Sequence, residues 1–345
     1  MASISNRYTR LVGIEHPIVQ EGLGPFRTAK LAAAVSNAGG LGTVSMPGMP
    51  ADIEAGARTF REHIEECAAL TDRPFAVNVP VGVDGNGKVL PFTDTYIRTA
   101  LRAREEDARI GERLTVLTTS AGFPGDYVAM VKDAGMVHQH KVGSTRHAVK
   151  AAAAGVDVVL AAGFEMGGHA PSAAVHSFVL LPNVTEAVDV PVLLTGGVRD
   201  GRGLAAALAM GADGVAMGTR FIVSHDNSDW HPAYLQALLD AKEGDDVAFN
   251  GVYGPCRGLR NAASERLLAH AAPEGGQVLD AVELTRWKIK SMQRAQTEGD
   301  VTDSLVMTGQ VASAITDVID VAEFVPRMAA EAAELIRQMA AAVST

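Results

Sequence analysis

LLTGGVRDGRGLAAALAMGADGVAMGTRF, residues 193–221, carries seven glycines in two clusters with an alanine-rich segment between them. Each cluster accompanies a short, almost continuously apolar run, which is typical of a parallel strand that is buried on both faces. The intervening LAAALAM has the composition of a helix. A strand, a helix and a second strand in this order form a right-handed unit with two parallel strands. The stretch therefore predicts a parallel α/β fold.

Eight apolar or β-branched runs recur between residues 16 and 221, and most of them precede a segment with helical spacing of apolar residues. The runs are HPIVQ (16–20), LGTVSM (41–46), FAVNVP (75–80), LTVLTTS (114–120), MVHQHKV (136–142), VDVVLAAG (156–163), VPVLLTGG (190–197) and GVAMGTRF (214–221). Eight such units predict a closed (β/α)8 barrel. An open, doubly wound sheet is the alternative, because it uses the same units.

The chain of 345 residues is longer than the roughly 250 residues of such a barrel. We predict a barrel domain at 1–225, a smaller helical domain after strand eight at 226–302, which would cover the substrate, and C-terminal helices at 303–345. The last helix should pack its apolar stripe back on the barrel. That stripe consists of Phe324, Met328, Leu335, Ile336, Met339 and Val343.

The composition excludes several classes of protein. A net charge of −10 argues against a nucleic-acid partner, because binding of phosphates needs many Lys and Arg contacts. No signal-peptide pattern and no long uncharged apolar run occur, so we expect a cytoplasmic protein without a membrane partner. Cys67 and Cys256 lie far apart and suggest neither a disulfide framework nor a sulfur-rich metal site. The oligomeric state stays open, and a homodimer is one option.

The two glycine clusters lie where a barrel binds phosphate, at the ends of strands seven and eight. Thr195, Gly196 and Gly197 end the seventh predicted strand, and Gly218 and Thr219 end the eighth. Backbone N–H groups without a side chain in the way can bind an anion closely. We interpret the clusters as a phosphate site, although glycines also end strands for purely structural reasons.

His169 follows two glycines in GFEMGGHAP, residues 163–171, at the predicted barrel mouth. An imidazole there could take a proton from a weakly acidic carbon or donate one to a reduced substrate.

His138 and His140 alternate on strand five, as in some metal sites, and a barrel amidohydrolase is the rival interpretation. That class expects such a pair on the first strand, so we predict no metal. A phosphate alone is a marginal anchor, so a tightly held ligand would need a further large surface such as a flavin ring, and Lys141, the residue after His140, could stabilise the anionic reduced form of that ring.

Five segments together resemble the nitronate monooxygenase family, formerly called 2-nitropropane dioxygenases. They are HPIVQEGLGPFRTAKLAAAVSNAGGLGTVS (16–45), FAVNVP (75–80), HKVGSTRHAVKA (140–151), GFEMGGHAP (163–171) and the glycine-rich stretch 193–221. The resemblance implies a TIM barrel that binds FMN noncovalently, with a helical second domain over the site. It covers most of the barrel and continues weakly into the C-terminal segment.

The resemblance also implies roles for individual residues. The residues implied to contact the cofactor are Gln20, Glu21, Gly22, Asn78, Lys141, Gly167, Gly168, Thr195, Gly196, Gly197, Gly218 and Thr219. Among them, the residues that would hold the phosphate are Gly196, Gly197, Gly218 and Thr219. His169 matches the family's proposed base. Glu21 departs from the family pattern, which usually has a small residue there.

The implied activity is the oxidation of an alkyl nitronate, a small-molecule substrate, by O2 to a carbonyl compound and nitrite. Related branches of the family are NAD(P)H-dependent quinone reductases and FMN-dependent enoyl-acyl-carrier-protein reductases, so a reductase that uses NAD(P)H is the alternative. A third hypothesis is a barrel without enzymatic activity that binds a phosphorylated ligand. The physiological substrate and the role of Cys256 stay open.

Overall fold

The structure is a computed structural model, which describes residues 4–48, 52–83, 87–252, 254–270 and 281–343. In this part of the chain, the eight predicted runs form the strands of one closed sheet, and three further strands form a second sheet. The strands of the described residues are β1 Ile18–Gln20, β2 Gly42–Ser45, β3 Phe75–Val81, β4 Leu114–Ala121, β5 Val137–Val142, β6 Val158–Ala162, β7 Gly168–His169, β8 Val192–Thr195, β9 Gly214–Met217, β10 Asp246–Asn250 and β11 Pro255–Leu259.

Eight parallel strands are hydrogen-bonded in the order β1-β9-β8-β6-β5-β4-β3-β2. The two end strands also meet, because the N–H of Gln20 donates to the carbonyl of Leu41 and the N–H of Leu41 donates to that of Ile18, each at 2.9 Å. These bonds close the sheet into a barrel. The predicted (β/α)8 barrel is confirmed, and the open-sheet alternative is wrong.

Helices surround the barrel. They are α1 Arg7–Val12, α2 Ala29–Asn37, α3 Ile53–Leu70, α4 Pro91–Glu106, α5 Ala108–Arg113, α6 Gly125–Asp133, α7 Thr145–Ala153, α8 Ser177–Ala187, α9 Gly201–Ala209, α10 Thr219–Ile222, α11 Pro232–Asp240, α12 Ala262–His270, α13 Ala281–Thr297 and α14 Val321–Ala342. In α3, the Asp52 side chain caps the first turn, and Phe60, Ile64 and Cys67 are buried at helical spacing. None of the helices in the described ranges is long and apolar enough to cross a bilayer.

The eighth predicted strand is shorter than the sequence indicated. The prediction ran to residue 221, but β9 ends at Met217 and residues 219–222 form α10. The chain turns at Gly218, whose carbonyl accepts hydrogen bonds from the N–H groups of Phe221 and Ile222 at 3.0 and 3.1 Å. The apolar residues of this turn are buried like those of a strand, so hydrophobicity alone did not separate the two.

The interior of the barrel is packed, and its amino-terminal end is covered by α1. Tyr8 is fully buried there, and its hydroxyl donates to Oε1 of Gln139 at 2.8 Å. Val19, Val116 and Leu160 belong to the same apolar cluster. Because this end is filled by side chains, the described part of the barrel leaves room for a ligand at the carboxyl ends of the strands.

The segment after the barrel contains more than the predicted helices. It has α11, α12 and α13, but also the antiparallel strands β10 and β11, which the sequence analysis did not predict. β11 pairs with β7 from the barrel loop, so a three-stranded sheet joins this segment to the barrel. Residues 271–280 lie outside the described part of the chain. The boundaries at 225/226 and 302/303 stay a prediction.

The last helix packs on the barrel over only part of its length. Phe324 and Met328 are buried against the barrel helices, as expected, whereas Ile336, Met339 and Val343 are exposed. α14 has 22 residues and α9, which it contacts most, has 9. At about 1.5 Å per residue, α14 is much longer than the surface beside it. The prediction that the whole apolar stripe packs on the barrel is therefore wrong.

Candidate active site

A cavity of about 1040 Å³ lies at the carboxyl ends of the barrel strands. Twelve of the thirteen residues predicted for the site line it. They are Glu21, Gly22, Asn78, Lys141, Gly167, Gly168, His169, Thr195, Gly196, Gly197, Gly218 and Thr219. The fold thus brings residues that are almost 200 positions apart in sequence to one opening, although their individual roles stay predictions.

Gln20 is the exception, since it is not among the described residues that line the cavity. Its side chain is fully buried, accepts a hydrogen bond from the N–H of Thr43 at 2.9 Å and donates one to the carbonyl of Glu21. The amide oxygen thus joins β1 to β2, and the amide nitrogen bonds to the residue that follows Gln20 in the chain. The contact of Gln20 with a cofactor ring stays a prediction.

Small residues let the backbone come close to the cavity. A Cβ atom on Gly22, just after β1, would lie 2.6 Å from Cβ of Asn78 on β3, so no side chain fits between these two residues. Gly196 and Gly197 have φ angles of +105° and +74°, a region that favours glycine. These positions keep the cavity floor free of side chains.

Backbone N–H groups remain available at the predicted phosphate site. Within the described ranges, the N–H groups of Gly197, Gly218 and Thr219 donate to no backbone or side-chain acceptor. Thr219 is held in place because its hydroxyl accepts a hydrogen bond from the N–H of Gly309 at 3.0 Å. N–H groups of this kind form the concavities that bind phosphate in many proteins.

Glu165 is a cavity residue that the sequence analysis missed, although it lies within the GFEMGGHAP motif. Its carboxylate accepts hydrogen bonds from the N–H of Ser177 at 3.0 and 3.2 Å and lies 3.2 Å from Nδ1 of His176. A Cβ atom on Gly197 would be 3.2 Å from its Cγ. Glu165 therefore places a negative charge beside the predicted phosphate loop.

His169 lies on β7, opposite Cys256 of β11. The loop that carries it is held by Arg257, which forms an ion pair with Asp246 and donates to the carbonyl of Phe164 at 3.1 Å. Burial, and after it the charges of Lys141 and Lys288, lower the pKa of His169 to about 4. The imidazole is therefore neutral near pH 7 and can accept a proton.

Cys256 is an unreactive neighbour of His169. Burial raises the pKa of its thiol to about 12, so the sulfur is protonated near neutral pH. Nucleophilic chemistry at this position would need the thiolate. We therefore interpret Cys256 as a packing residue of the β7–β11 contact.

Lys141 and Glu21 form an ion pair on the barrel side of the cavity. Nζ of Lys141 lies 2.7 Å from Oε2 of Glu21, and the two side chains are 16% and 6% exposed. Oε1 of Glu21 is buried and finds no hydrogen-bond donor in the described residues. The sequence analysis named both residues but not their contact, because they are 120 positions apart.

His138 and His140 have a structural partner in Thr119. The Thr119 hydroxyl lies 2.8 Å from Nε2 of His138 and 2.9 Å from Nδ1 of His140, with both rings buried. In the described residues, no group of three or more His, Cys, Asp or Glu side chains is arranged to hold a metal ion. The geometry thus gives the pair a place in the barrel core and no support to the amidohydrolase hypothesis.

These histidines should make stability depend on pH. Burial lowers the pKa of His138 to about 4 and that of His140 to about 3, from 6.5. Between pH 6.5 and 4 the unfolded chain binds protons that the folded chain excludes, so stability is lost as the pH falls. At pH 5 the expected loss is about 2 kcal/mol per histidine. Denaturant unfolding at pH 7 and pH 5 measures it.

A matched pair of variants isolates this effect from the titration of carboxylates. His140→Gln should reduce the difference in unfolding free energy between pH 7 and pH 5 by about 2 kcal/mol. His147→Gln, at an exposed histidine, should leave the difference unchanged. Equal pH dependence in both variants would contradict the assignment.

The outer wall of the cavity comes from the segment after the barrel. Trp230, Tyr234, Ile289 and Met292 line it, and the rings of Trp230 and Tyr234 meet edge to face with centroids 5.0 Å apart. Nε1 of Trp230 and Oε1 of Gln296 are buried without a hydrogen-bond partner among the described residues. The sequence analysis did not predict these wall residues, since no motif marks them.

The chain is similar to proteins of known name. It is 37% and 38% identical to (3aS,4S,5R,7aS)-5-hydroxy-7a-methyl-1-oxo-octahydro-1H-indene-4-carboxyl-CoA dehydrogenase of Rhodococcus jostii and Mycobacterium tuberculosis, over 66% and 77% of this chain. The match spans 58% and 69% of those proteins. A probable nitronate monooxygenase of Staphylococcus saprophyticus is 31% identical, over 75% of this chain and 79% of that protein.

A solved structure and a family profile extend these matches to the whole fold. FabK from Thermotoga maritima superposes with a TM-score of 0.85 and 32% identity, over 99% of this chain and 100% of that one. The nitronate monooxygenase family profile matches residues 5–331. This chain belongs to the nitronate monooxygenase family and is an oxidoreductase.

Proposed function

We propose that this protein is an FMN-dependent oxidoreductase of nitronate monooxygenase type, which takes up a neutral nitroalkane and converts it to a carbonyl compound and nitrite with O2. The observation that carries the proposal is a neutral imidazole, His169, beside a glycine-lined cavity with unpaired N–H groups. A base that is uncharged near pH 7 can remove a proton from a weakly acidic carbon.

The residues present fit the FMN that the family implies. The unpaired N–H groups of Gly197, Gly218 and Thr219 can bind the phosphate, and the absence of a side chain at Gly168 leaves space for a flat ring system. Lys141, paired with Glu21, would lie near the ring. When bound, FMN would accept the electrons of the substrate and pass them to O2.

His169 would act on the carbon next to the nitro group. The imidazole takes the proton, so the nitroalkane becomes a nitronate and the ring becomes an imidazolium ion. Lys141 and Lys288 disfavour that charge, which keeps His169 unprotonated before the substrate arrives and promotes return of the proton afterwards. Trp230, Ile289 and Met292 would cover the reacting carbon and exclude water.

The second candidate is NAD(P)H-dependent reduction of a quinone or an enoyl compound on the same barrel. Two observations favour this candidate. FabK superposes on almost the whole chain, and the relatives with 37–38% identity are named as dehydrogenases of a carboxyl-CoA compound and not as oxygenases. The apolar outer wall would suit an acyl group as well as an alkyl group.

Anaerobic mixing separates the two candidates. The FMN-loaded protein is mixed with a nitroalkane, its nitronate, NADH or NADPH, and flavin absorbance is followed. Rapid bleaching by the nitro compound, with nitrite released on admission of air, supports the first candidate. Rapid bleaching by NAD(P)H alone would replace it with the second. A colourless protein that does not bind added FMN would refute both.

A further inference from the structure

The charged residues of the cavity are arranged in an unusual way. The described lining residues include two cations, Lys141 in the interior and Arg146 at the exposed rim, and two carboxylates, Glu21 and Glu165. The interior cation is paired with Glu21 at 2.7 Å. The field that a lone lysine would offer to an anion is therefore largely cancelled inside the cavity.

Glu21 is held firmly in this position. It follows β1 directly, and its N–H donates to the carbonyl of Met217 at 2.9 Å, which ties its backbone to β9. Its side chain is 6% exposed, and Oε1 has no donor within the described residues. A buried carboxylate oxygen without a partner reduces stability.

Glu165 is the other carboxylate of the interior lining. Its carboxylate accepts a hydrogen bond from the N–H of Ser177, lies 3.2 Å from Nδ1 of His176 and is next to Gly197. The nearby cation Lys288 is not among the described lining residues and donates to the carbonyl of Gly251. The described interior lining therefore offers an anionic substrate no unpaired cation, which an uncharged substrate does not need.

We propose that Glu21 neutralises Lys141 and thereby makes the cavity select uncharged ligands over anions of the same shape. The inference deepens the proposed function, on which it rests, because it identifies the neutral nitroalkane as the form that binds in preference to the nitronate anion. Glu21 acts through Lys141 and is in this sense a specificity-determining residue.

The test compares two probes of nearly equal shape, benzamide and benzoate, by calorimetric titration of the FMN-loaded protein. The wild type should bind benzamide more tightly. Glu21→Gln should shift the ratio of the two dissociation constants toward benzoate by about tenfold or more, because a charge a few ångströms from the ligand is removed. In E21Q/K141M the shift should disappear, since the cation that Glu21 had neutralised is removed as well.

Glu106→Gln is the matched control. Glu106 is an exposed carboxylate 2.7 Å from Nη1 of Arg61, outside the cavity, and its removal should leave the ratio unchanged. A wild type that prefers benzoate, or an E21Q protein with the wild-type ratio, would overturn the inference. If E21Q does not fold, the wild-type ratio decides alone. Failure of the proposed function is distinguishable, because it appears as an inability to bind FMN.

Discussion

His169→Ala should lower the turnover of neutral nitroalkanes by about 10²- to 10⁴-fold, the contribution of a well-placed general base. The imidazole is unprotonated near pH 7, because burial and the neighbouring lysines lower its pKa to about 4, so it can accept a proton at the start of each cycle, although the same shift makes it a weaker base than an ordinary histidine. A preformed nitronate has already lost this proton and should be oxidised at close to the rate that the wild type shows with it. Steady-state nitrite release with both substrates measures the difference.

The variant should keep its flavin, which separates loss of the base from loss of the site. His225→Ala removes an exposed imidazole outside the cavity and serves as the control for the substitution itself. Equal rates of His169→Ala and wild type on the neutral nitroalkane would remove His169 from the mechanism. An equal loss on nitroalkane and nitronate would assign it to binding instead.

Gly168→Ala should weaken FMN binding by about tenfold or more. Gly168 lines the cavity with a φ angle of +65°, and a Cβ atom there would meet no protein atom within 4 Å. The added methyl group would occupy space proposed for the ring, and overfilling a packed site costs about 1–3 kcal/mol. Titration of the apoprotein with FMN, followed by fluorescence quenching, measures the change.

Gly244→Ala is the matched control for backbone strain. Gly244 has a φ angle of +88°, also has open space at the Cβ position, and does not line the cavity. Both variants should lose a similar stability, about 1–2 kcal/mol for a left-handed alanine, but only Gly168→Ala should lose FMN. Similar affinities for FMN in the two proteins would rule out close approach of a ligand at Gly168.

The barrel could be predicted because its signals are local. Each strand and helix is specified by a short period of apolar residues, and the right-handed connection leaves few ways to join them. One error in the predicted secondary structure occurred at α10, because its buried apolar residues have the same pattern as the end of a buried strand. The distal half of α14 failed for another reason, since helical spacing indicates an apolar face but not whether a surface lies beside it.

The candidate site was partly predictable, because a parallel barrel brings the carboxyl ends of all its strands together at one opening. Gly196, Gly197 and Gly218 line one opening because β8 and β9 are neighbours. The contact of Gln20 with a cofactor stays a prediction, and the sequence does not reveal that its amide oxygen already accepts a hydrogen bond from Thr43.

The sequence by itself determined the barrel, because periodicity and strand–helix connection act over a few tens of residues, and its motifs named twelve of the residues that line the mouth. Only the tertiary structure decided that Glu21 meets Lys141, that β11 joins β7, and that Trp230 covers the opening. These contacts join positions far apart in the chain, and they depend on distances that no local pattern encodes.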